Sequence, residues 1–414
     1  MTDEIEERLK KLKHLQVHEL KVGMYVADSG ISWTNRPYLF VKTGLIESED
    51  DIRQIINDGY IEAYIDPSHS VAYTDPQPLE QNPDIADSSP TPPLKPKVPL
   101  AEEIQNAAEV QSDTVVYVRS FMSDIRTGKL DMAPASGFME KIMESVDRNV
   151  NAMMSLCRLR SVDSYTYMHC VNVSVFTSMF ARYTGMNKQE VLCAGLAGLF
   201  HDLGKALVPT EILNAPRRLS PQERTVMNSH PSLGYEQVKN IPGVIPEVPL
   251  GMLHHHEKYD GTGYPSGLSG DAISGTGYMV ALADIYDALT SKRVYKDGMS
   301  PHRALGVMYE MRGKDLHPEM LDRFIRMIGV YPVGSVVEMS DGSWGVVSAV
   351  NLDEPIKPSI TLIRDAKGKV LPDILCDLAS PDNKLKIARC APAGTTGINP
   401  AQVLQLPPSA AGHA

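Results

Sequence analysis

A proline-dense segment, residues 75–100, most strongly limits what this 414-residue chain can fold into. It reads DPQPLEQNPDIADSSPTPPLKPKVPL. Each proline lacks a backbone donor and has a fixed φ, so neither a helix nor a sheet can form at this density. We therefore predict a semi-extended linker that separates a small N-terminal module, residues 1–74, from the rest of the chain.

The two sides of this linker have different hydrophobic periodicities. Residues 17–66 alternate short apolar runs with turn residues, which indicates strands, and SEDDIRQIINDG at 48–59 indicates one helix with Ser48 as its N-cap. Helical periodicity resumes near Ala101 and continues to about residue 330. The chain is therefore predicted to combine an α+β module with a larger helical part.

The pattern changes once more after the helical part. Two stretches, VGSVVEMSDGSWGVVSAV and SITLIRDAKGKVLPDI, predict strand–turn–strand units with Asp-Gly and Lys-Gly at the turns. The predicted fold class is multidomain and mainly α, with a small α+β N-terminal module and a short β-rich C-terminal extension. The predicted parts after the linker are a connecting helix at 101–134, an all-helical domain at 135–330, the β-rich extension at 331–390 and a disordered tail at 391–414.

Composition excludes several classes of protein. A hydrophobic content of 43% with 22% charged residues is typical of a soluble globular chain. The net charge is −11 and no basic stripe is present, which argues against binding of a nucleic-acid polymer. No apolar run is long enough to span a membrane, and the charged N-terminus does not resemble a signal peptide. Five cysteines without a C-x-x-C pair indicate free thiols, so we predict a cytoplasmic protein.

Histidines and aspartates are concentrated in the helical part. Six of the twelve histidines lie between residues 169 and 256, mostly on separate predicted helices. A helical bundle gathers a metal site in this way, with one or two ligands from each facing helix. The series consists of His169, His201, Asp202, His230, His255, His256 and Asp284.

The number of these side chains indicates more than one metal ion. Five imidazoles and two carboxylates exceed the needs of one tetrahedral ion, so two ions, bridged by a carboxylate such as Asp202, are the economical interpretation. Taken alone, a helix-borne histidine such as His169 is more often a core residue, and His-Asp pairs occur by chance. The joint pattern is what favours a metal site. Adjacent helical residues point about 100° apart, so the three consecutive histidines 254–256 cannot all face one metal cluster. His254 is therefore left out of the ligand series.

Three motifs in this region resemble those of a known family. HDLGK at 201–205, HHEKYDGTGYP at 255–265 and ADIYDALTSKRVYK at 283–296 are similar to the HD-GYP branch of the HD phosphohydrolases. Those enzymes hydrolyse the bacterial messenger cyclic di-GMP. The resemblance covers roughly residues 135–330, and the segment LKVGMYVADSGISWTNRPYLF is similar to the N-terminal module that often precedes HD-GYP domains.

The resemblance implies a role for individual residues. It assigns all seven side chains of the series as ligands of two divalent ions, with Fe or Mn favoured and Ni, Zn or Mg as alternatives. It places Lys205 beside the scissile phosphate, and it makes Arg293 and Lys296 the cations that hold the substrate phosphates. Gly263, Tyr264 and Pro265 form the loop that names the family, with Tyr264 at the rim of the pocket.

The same loop is associated in the family with contacts to GGDEF-type cyclase domains, so such a domain is an expected partner beside cyclic di-GMP. A homodimer is left open. We also expect Glu257 and Asp260 to orient the ligand histidines, with a surface salt bridge as the alternative for Glu257.

Two positions depart from the family pattern. Some members have a third-metal glutamate where this chain has Tyr165, and Asp163 lies off that helical face, which favours a two-metal site. The family often has Arg-Pro-Tyr-Arg where this chain has RVYK, and a lysine supplies a point charge in place of a bidentate cation. The second departure is expected to weaken substrate binding and to leave the chemistry intact.

The predicted function is a metal-dependent phosphodiesterase that converts cyclic di-GMP to pGpG, GMP or both with a metal-bridging hydroxide. Asp202 and Lys205 are the predicted catalytic residues, and Lys205, Arg293, Lys296 and Tyr264 are the predicted substrate contacts. Two alternatives are kept: a catalytically weak cyclic di-GMP sensor, and an HD hydrolase that acts on another nucleotide.

Overall fold

A computed structural model describes most of the chain: residues 7–29, 39–40, 43–57, 60, 62–71, 95–125, 130–157, 165–291, 298–391 and 395–407. Most of the predicted linker therefore lies outside the described residues. The chain divides into two compact units, Met1–Pro90 and Thr91–Ala414.

The N-terminal unit contains a small sheet and one helix. Its strands are β1 Lys13–Gln16, β2 Tyr25–Val26, β3 Leu39–Phe40, β4 Gly44–Leu45 and β5 Glu62–Ile65. Helix α1, Glu49–Asn57, begins after Ser48, whose hydroxyl accepts a hydrogen bond from Asp51 N as the predicted cap requires. The strand order is β1-β5-β2-β4, and β3 pairs in parallel with β5.

The strands of this unit differ from the prediction at its first element. Strand β1 precedes residue 17, and Val17–Glu19 form a 3₁₀ turn where a strand is expected. Leu15 and Val17 are both buried in the core of the unit. Alternating apolar residues therefore mark the buried face here without distinguishing a strand from a tight turn.

The second unit is mainly helical from residue 100 to residue 328, which agrees with the predicted helical part. Its helices are α2 Leu100–Asp124, α3 Ala133–Leu156, α4 Tyr165–Tyr183, α5 Lys188–Phe200, α6 Thr210–Leu213, α7 Pro221–Met227, α8 His230–Val238, α9 Glu247–His254, α10 Gly275–Thr290, α11 Pro301–Glu310 and α12 Pro318–Ile328.

Side-chain caps and small residues determine where these helices begin and how closely they pack. Asn187 caps α5, because its side chain accepts hydrogen bonds from Gln189 N and Glu190 N. Helices α4 and α5 then pack closely along a row of small residues. A methyl group on Gly198 would lie 3.0 Å from Ser174 Cα, so glycine permits this approach.

The C-terminal sheet is antiparallel, with strand order β10-β6-β7-β8-β9. Its strands are β6 Val336–Met339, β7 Trp344–Ala349, β8 Ser359–Arg364, β9 Val370–Asp377 and β10 Ile387–Cys390. The two predicted turn glycines, Gly342 and Gly368, have φ of +84° and +80°. Both predicted hairpins therefore form, as β6–β7 and β8–β9.

The prediction of disorder from residue 391 onward is wrong for residues 395–407. A short helix, α13 Pro400–Val403, begins after Asn399, whose side chain accepts from Ala401 N. Leu404 is buried against Val333 and Val346. Apolar residues that are sparse in sequence thus still find a place on the sheet, and composition alone does not show this. Residues 408–414 lie outside the described residues.

The fold class is confirmed as multidomain and mainly α with two small sheets. All five cysteines are described and are free thiols. Among the described residues, no helix has both the length and the apolar character required to cross a lipid bilayer.

Candidate metal centre

The seven predicted ligands lie together in the second unit. His169 is on α4, His201 and Asp202 follow the end of α5, and Asp284 is on α10. Their ligand atoms fall into three groups, each with all atoms within 4.8 Å of one another. The groups are His230, His255 and His256; His169, His201 and Asp202; and His201, His255 and Asp284.

The segment HDLGK marks the end of α5 and a change of direction. His201 is the C-cap of α5, and Leu203–Leu207 form a 3₁₀ helix. Gly204 lies against the start of α8, where a methyl group would overlap the carbonyl oxygen of His230 and lie 2.6 Å from Gly234 N. The glycine therefore brings the segment that carries Asp202 directly onto the helix that carries His230.

Backbone carbonyls fix the orientation of three ligand histidines. His201 Nδ1 lies 2.8 Å from Gly198 O, His230 Nδ1 lies 2.8 Å from Met227 O, and His255 Nδ1 lies 2.6 Å from Met252 O. A carbonyl oxygen can only accept, so each Nδ1 carries the proton and each Nε2 offers a lone pair. In every case the carbonyl belongs to the residue three positions earlier, so the backbone at the end of a helix determines the orientation of the imidazole ring.

The Asp202 carboxylate lies at the centre of the group. Its Oδ1 is 3.4 Å from His230 Nε2, while its Oδ2 is 3.4 Å from His201 Nε2 and 3.9 Å from His169 Nε2. Within the described part of the chain, Asp202 Oδ1 and His201 Nε2 are buried without a hydrogen bond. Buried polar atoms rarely stay unsatisfied, and a divalent cation would satisfy both. These residues therefore fit divalent metal ions.

The pKa of His169 is shifted in the opposite direction from the pKa values of His255 and His256. Burial lowers the pKa of His256 to about 4 and holds that of His255 well below its usual value. Burial acts in the same direction on His169, but hydrogen bonds with Asp284 and Asp287 outweigh it and raise its pKa to about 9. Without a metal, His169 is therefore protonated at neutral pH, and a cation that binds its Nε2 must displace that proton.

Both carboxylates of the set are ionised at neutral pH. Burial opposes the charge of Asp202, yet His201 and Lys205 keep its pKa well below the usual value. Burial also opposes the charge of Asp284, but the hydrogen bond from His169 and the charges of His169, His201 and His256 together lower its pKa. The donor set is thus two anionic carboxylates with imidazoles, which suits hard or borderline divalent ions.

Sequence reasoning missed Asp287, which contacts the first candidate ligand, His169. Its Oδ2 lies 2.7 Å from His169 Nδ1, and its Oδ1 accepts from Asn172 Nδ2 at 3.1 Å. Asp287 is fully buried. It lies three residues after Asp284 on α10, so the spacing in DIYD indicates that the two carboxylates share a helix face but does not identify the contact with His169.

Lys205 lies at the edge of the ligand group. Its Nζ donates to Asp202 Oδ2 at 2.6 Å, and about a third of its side chain is exposed. Burial tends to lower its pKa, but Asp202 and Asp284 outweigh that effect and raise it. The ammonium group is therefore a fixed positive charge beside the central carboxylate and reachable from solvent.

The loop at residues 261–268 packs against the ligand histidines. Tyr264 N donates to His256 O at 3.2 Å, and its ring lies 4.8 Å from that of His256. A methyl group on Gly263 would lie 2.6 Å from His256 O, so only glycine allows this backbone approach. Tyr264 is partly buried beside the ligands, and the Tyr264–Pro265 peptide bond is cis.

The expected roles of Glu257 and Asp260 are wrong. Glu257 is buried, and its carboxylate accepts from Ser266 N at 2.7 Å and Leu268 N at 3.0 Å. Asp260 is exposed and accepts from the backbone and hydroxyl of Thr262. Among the described residues, the hydrogen bonds found for these two carboxylates come from loop amides and a hydroxyl rather than from an imidazole. Glu257 thus anchors the loop to the ligand segment.

The remaining predictions concern His254, the two predicted substrate-binding cations and the third-metal position. His254 Nδ1 lies 3.2 Å from the hydroxyl of Ser274, outside the three ligand groups, which agrees with its omission. Arg293 and Lys296 lie outside the described residues, as do Asp163 and the side chain of Tyr165.

Comparison with known proteins identifies the family. Residues 141–320 match an HD domain, residues 12–135 match a domain of unknown function, and residues 336–391 match a KOW domain associated with the HD domain. A cyclic di-GMP phosphodiesterase of Pseudomonas aeruginosa is 35% identical over 384 residues, which covers 92% of each chain. The chain belongs to the HD-GYP family. It is a metal-dependent phosphodiesterase, which confirms the predicted enzyme class.

Other relatives of this HD-GYP phosphodiesterase match a smaller share of the chain. A cyclic di-GMP phosphodiesterase response regulator of Xanthomonas campestris is 36% identical over 165 residues, or 40% of this chain and 44% of the relative. A 3'3'-cGAMP-specific phosphodiesterase of Vibrio cholerae is 32% identical over 158 residues, or 38% and 30% respectively.

Proposed function

We propose that this chain hydrolyses cyclic di-GMP with two divalent ions held around Asp202. The observation that carries the proposal is the convergence of seven buried or partly buried ligand side chains with Asp202 at their centre. The relative that matches nearly the whole chain is named a cyclic di-GMP phosphodiesterase, which supports the substrate.

The two oxygens of Asp202 support two ions rather than one. Oδ1 faces His230, which is grouped with His255 and His256, while Oδ2 lies nearer His201 and His169. One ion would be held by His230, His255 and His256, and the other by His169, His201 and Asp284, with Asp202 between them. Imidazole and carboxylate donors favour Fe or Mn, with Ni, Zn or Mg as alternatives.

When bound, such ions supply Lewis acidity and lower the pKa of water, so that a nucleophile is available near neutral pH. The chain's own residues do the rest. Lys205 faces solvent beside Asp202 and is placed to neutralise charge that develops on a phosphoryl oxygen. In this proposal Asp202 or Asp284, the two carboxylates of the set, accepts the proton that the attacking water loses and passes it to the departing 3′ oxygen. The products are pGpG and, after a second cut, GMP.

Replacing Lys205 by methionine tests its role in the transition state. We expect kcat and kcat/KM to fall together by about 10²–10³-fold, because a charge-stabilising group acts mainly in the transition state. Activity is compared at saturating metal, because the ammonium group also donates to Asp202 and its removal is expected to weaken metal binding. Lys239→Met, which removes an exposed lysine paired with Glu236, is the matched control. An unchanged kcat in Lys205→Met would remove Lys205 from the mechanism.

The loop at 261–268 is also proposed to contact a GGDEF-type cyclase domain. Pro265, Ser266 and Gly267 are exposed, while Glu257 holds the loop backbone from beneath. A rigid, exposed loop loses little conformational freedom on binding, which suits it to a partner contact.

The decisive experiment is a product assay on the full chain, purified without air and loaded with Fe²⁺ or Mn²⁺. We expect conversion of cyclic di-GMP to pGpG or GMP. The substrate panel includes 3'3'-cGAMP, because a relative of similar identity is specific for it, and nucleoside tri- and monophosphates. Binding of cyclic di-GMP without turnover would favour a sensor, and turnover of another member of the panel alone would overturn the proposed substrate.

A further inference from the structure

A buried chain of hydrogen bonds connects helix α2 to the metal centre. Gln111 on α2 donates from Nε2 to Asn172 Oδ1 at 3.1 Å. Asn172 Nδ2 donates to Asp287 Oδ1 at 3.1 Å, and Asp287 Oδ2 lies 2.7 Å from His169 Nδ1. Gln111 is 6% exposed, and Asn172 and Asp287 are fully buried. Helix α2 supplies none of the candidate metal ligands, yet its Gln111 forms the outer end of this series of hydrogen bonds.

The Asn172 amide has one orientation that satisfies its neighbours. Its Nδ2 also donates to Cys157 O at 3.1 Å, so two acceptors face the amide nitrogen and one donor faces the oxygen. A flipped amide would direct its oxygen at the Cys157 carbonyl and the Asp287 carboxylate, which are both acceptors. The donor from Gln111 and the two acceptors therefore favour the same orientation of the Asn172 amide.

The Asp287 carboxylate depends on this orientation for its own position. Asn172 binds its Oδ1, while His169 and Ser291 contact Oδ2 at 2.7 Å and 3.2 Å. A carboxylate held at both oxygens cannot rotate about its last bond. The imidazole of His169 then presents Nε2 to Asp284 at 3.1 Å and toward Asp202.

We propose that Gln111 is a positioning residue for the metal centre and acts through Asn172 and Asp287 on His169. The inference rests on the proposed metal site. Partners of a metal-binding histidine usually change metal affinity by about 10–100-fold when they are lost. Gln111 acts two residues further away, so its removal is expected to weaken metal binding by about tenfold, the lower end of that range.

Metal affinity separates positioning from simple stability. A buried glutamine that is merely satisfied would lower the unfolding temperature of the metal-free protein when replaced, but it would leave metal affinity unchanged. Thr114 on α2 provides the comparison, because it is fully buried and donates only to Val110 O among the described contacts. Thr114→Val therefore disturbs the same helix without touching the chain of hydrogen bonds.

The experiment titrates Mn²⁺ into the metal-free full chain against a chromophoric chelator. Gln111→Met is expected to bind Mn²⁺ about tenfold more weakly than the parent, with Thr114→Val at parent affinity. In an Asn172→Ala or Asp287→Asn background, Gln111→Met should weaken binding by less than about twofold more, because its route of action is already cut. Gln111→Leu gives the same comparison if Gln111→Met does not fold.

Each outcome decides a separate point. Parent affinity in Gln111→Met, or additive losses in the double variants, would overturn the positioning role while leaving the proposed function intact. If the parent chain bound neither Mn²⁺ nor Fe²⁺, Ni²⁺, Zn²⁺ or Mg²⁺, the proposed metal site would be overturned, and with it both proposals.

Discussion

The Asp202→Asn variant is expected to lose phosphodiesterase activity by roughly 10³-fold or more, equivalent to about 4 kcal/mol of transition-state stabilisation. Asp202 is the carboxylate that both halves of the ligand set share, with His230 near Oδ1 and His201 near Oδ2. Asparagine keeps the size but removes the negative charge and one acceptor, so it would not replace Asp202 as the anionic ligand shared by the two proposed cations. Metal content should fall with activity.

Activity and metal content are measured together on the full chain, by product chromatography and by elemental analysis. Asp113→Asn, which alters an exposed carboxylate on α2, is the matched control and should equal the parent in both measurements. An Asp202→Asn protein with full metal content and activity within tenfold of the parent would contradict the central position of this carboxylate.

The candidate ligands of this centre could be predicted from the sequence because each lies at the end or on one face of a helix that local periodicity also predicts. HDLGK is read at the end of an apolar run, and the structure places His201 at the C-cap of α5. Motifs of this kind can be recognised without knowing which distant segments their residues contact. The C-terminal hairpins were predictable for the same reason, since their turn glycines mark them locally.

The residues that support the candidate ligands, such as Asp287 and Gln111, could not be predicted in this way, because their roles depend on contacts between distant parts of the chain. Asp287 and His169 are 118 residues apart, and Gln111 and Asn172 are 61 apart. Periodicity tells which face of a helix is buried, and it does not tell what lies opposite. Glu257 shows the same limit, because a carboxylate beside two ligand histidines turned out to bind loop amides instead.

Replacing Gly204 by alanine is expected to damage both the fold and the metal centre. The added methyl group would overlap His230 O and lie 2.6 Å from Gly234 N and 2.9 Å from His230 C. All of these atoms belong to the backbone of α8, which cannot move aside as a flexible side chain can. Overpacking of this kind costs about 3 kcal/mol or more, which corresponds to a fall of roughly 6–12 °C in the unfolding temperature of the catalytic part.

The same displacement separates His230 from Asp202, because the two stand on the elements that Gly204 brings together. Gly204→Ala should therefore also bind less metal than the parent, even at a temperature where it is folded. Gly137→Ala is the control: a methyl group there meets nothing within 4 Å in α3, and replacing a helical glycine should be neutral or stabilise by about 0.5–1 kcal/mol. Thermal unfolding and metal content of both variants give the test. A Gly204→Ala protein with the unfolding temperature of the parent would show that α8 yields at this contact, and the glycine of HDLGK would then have no steric role.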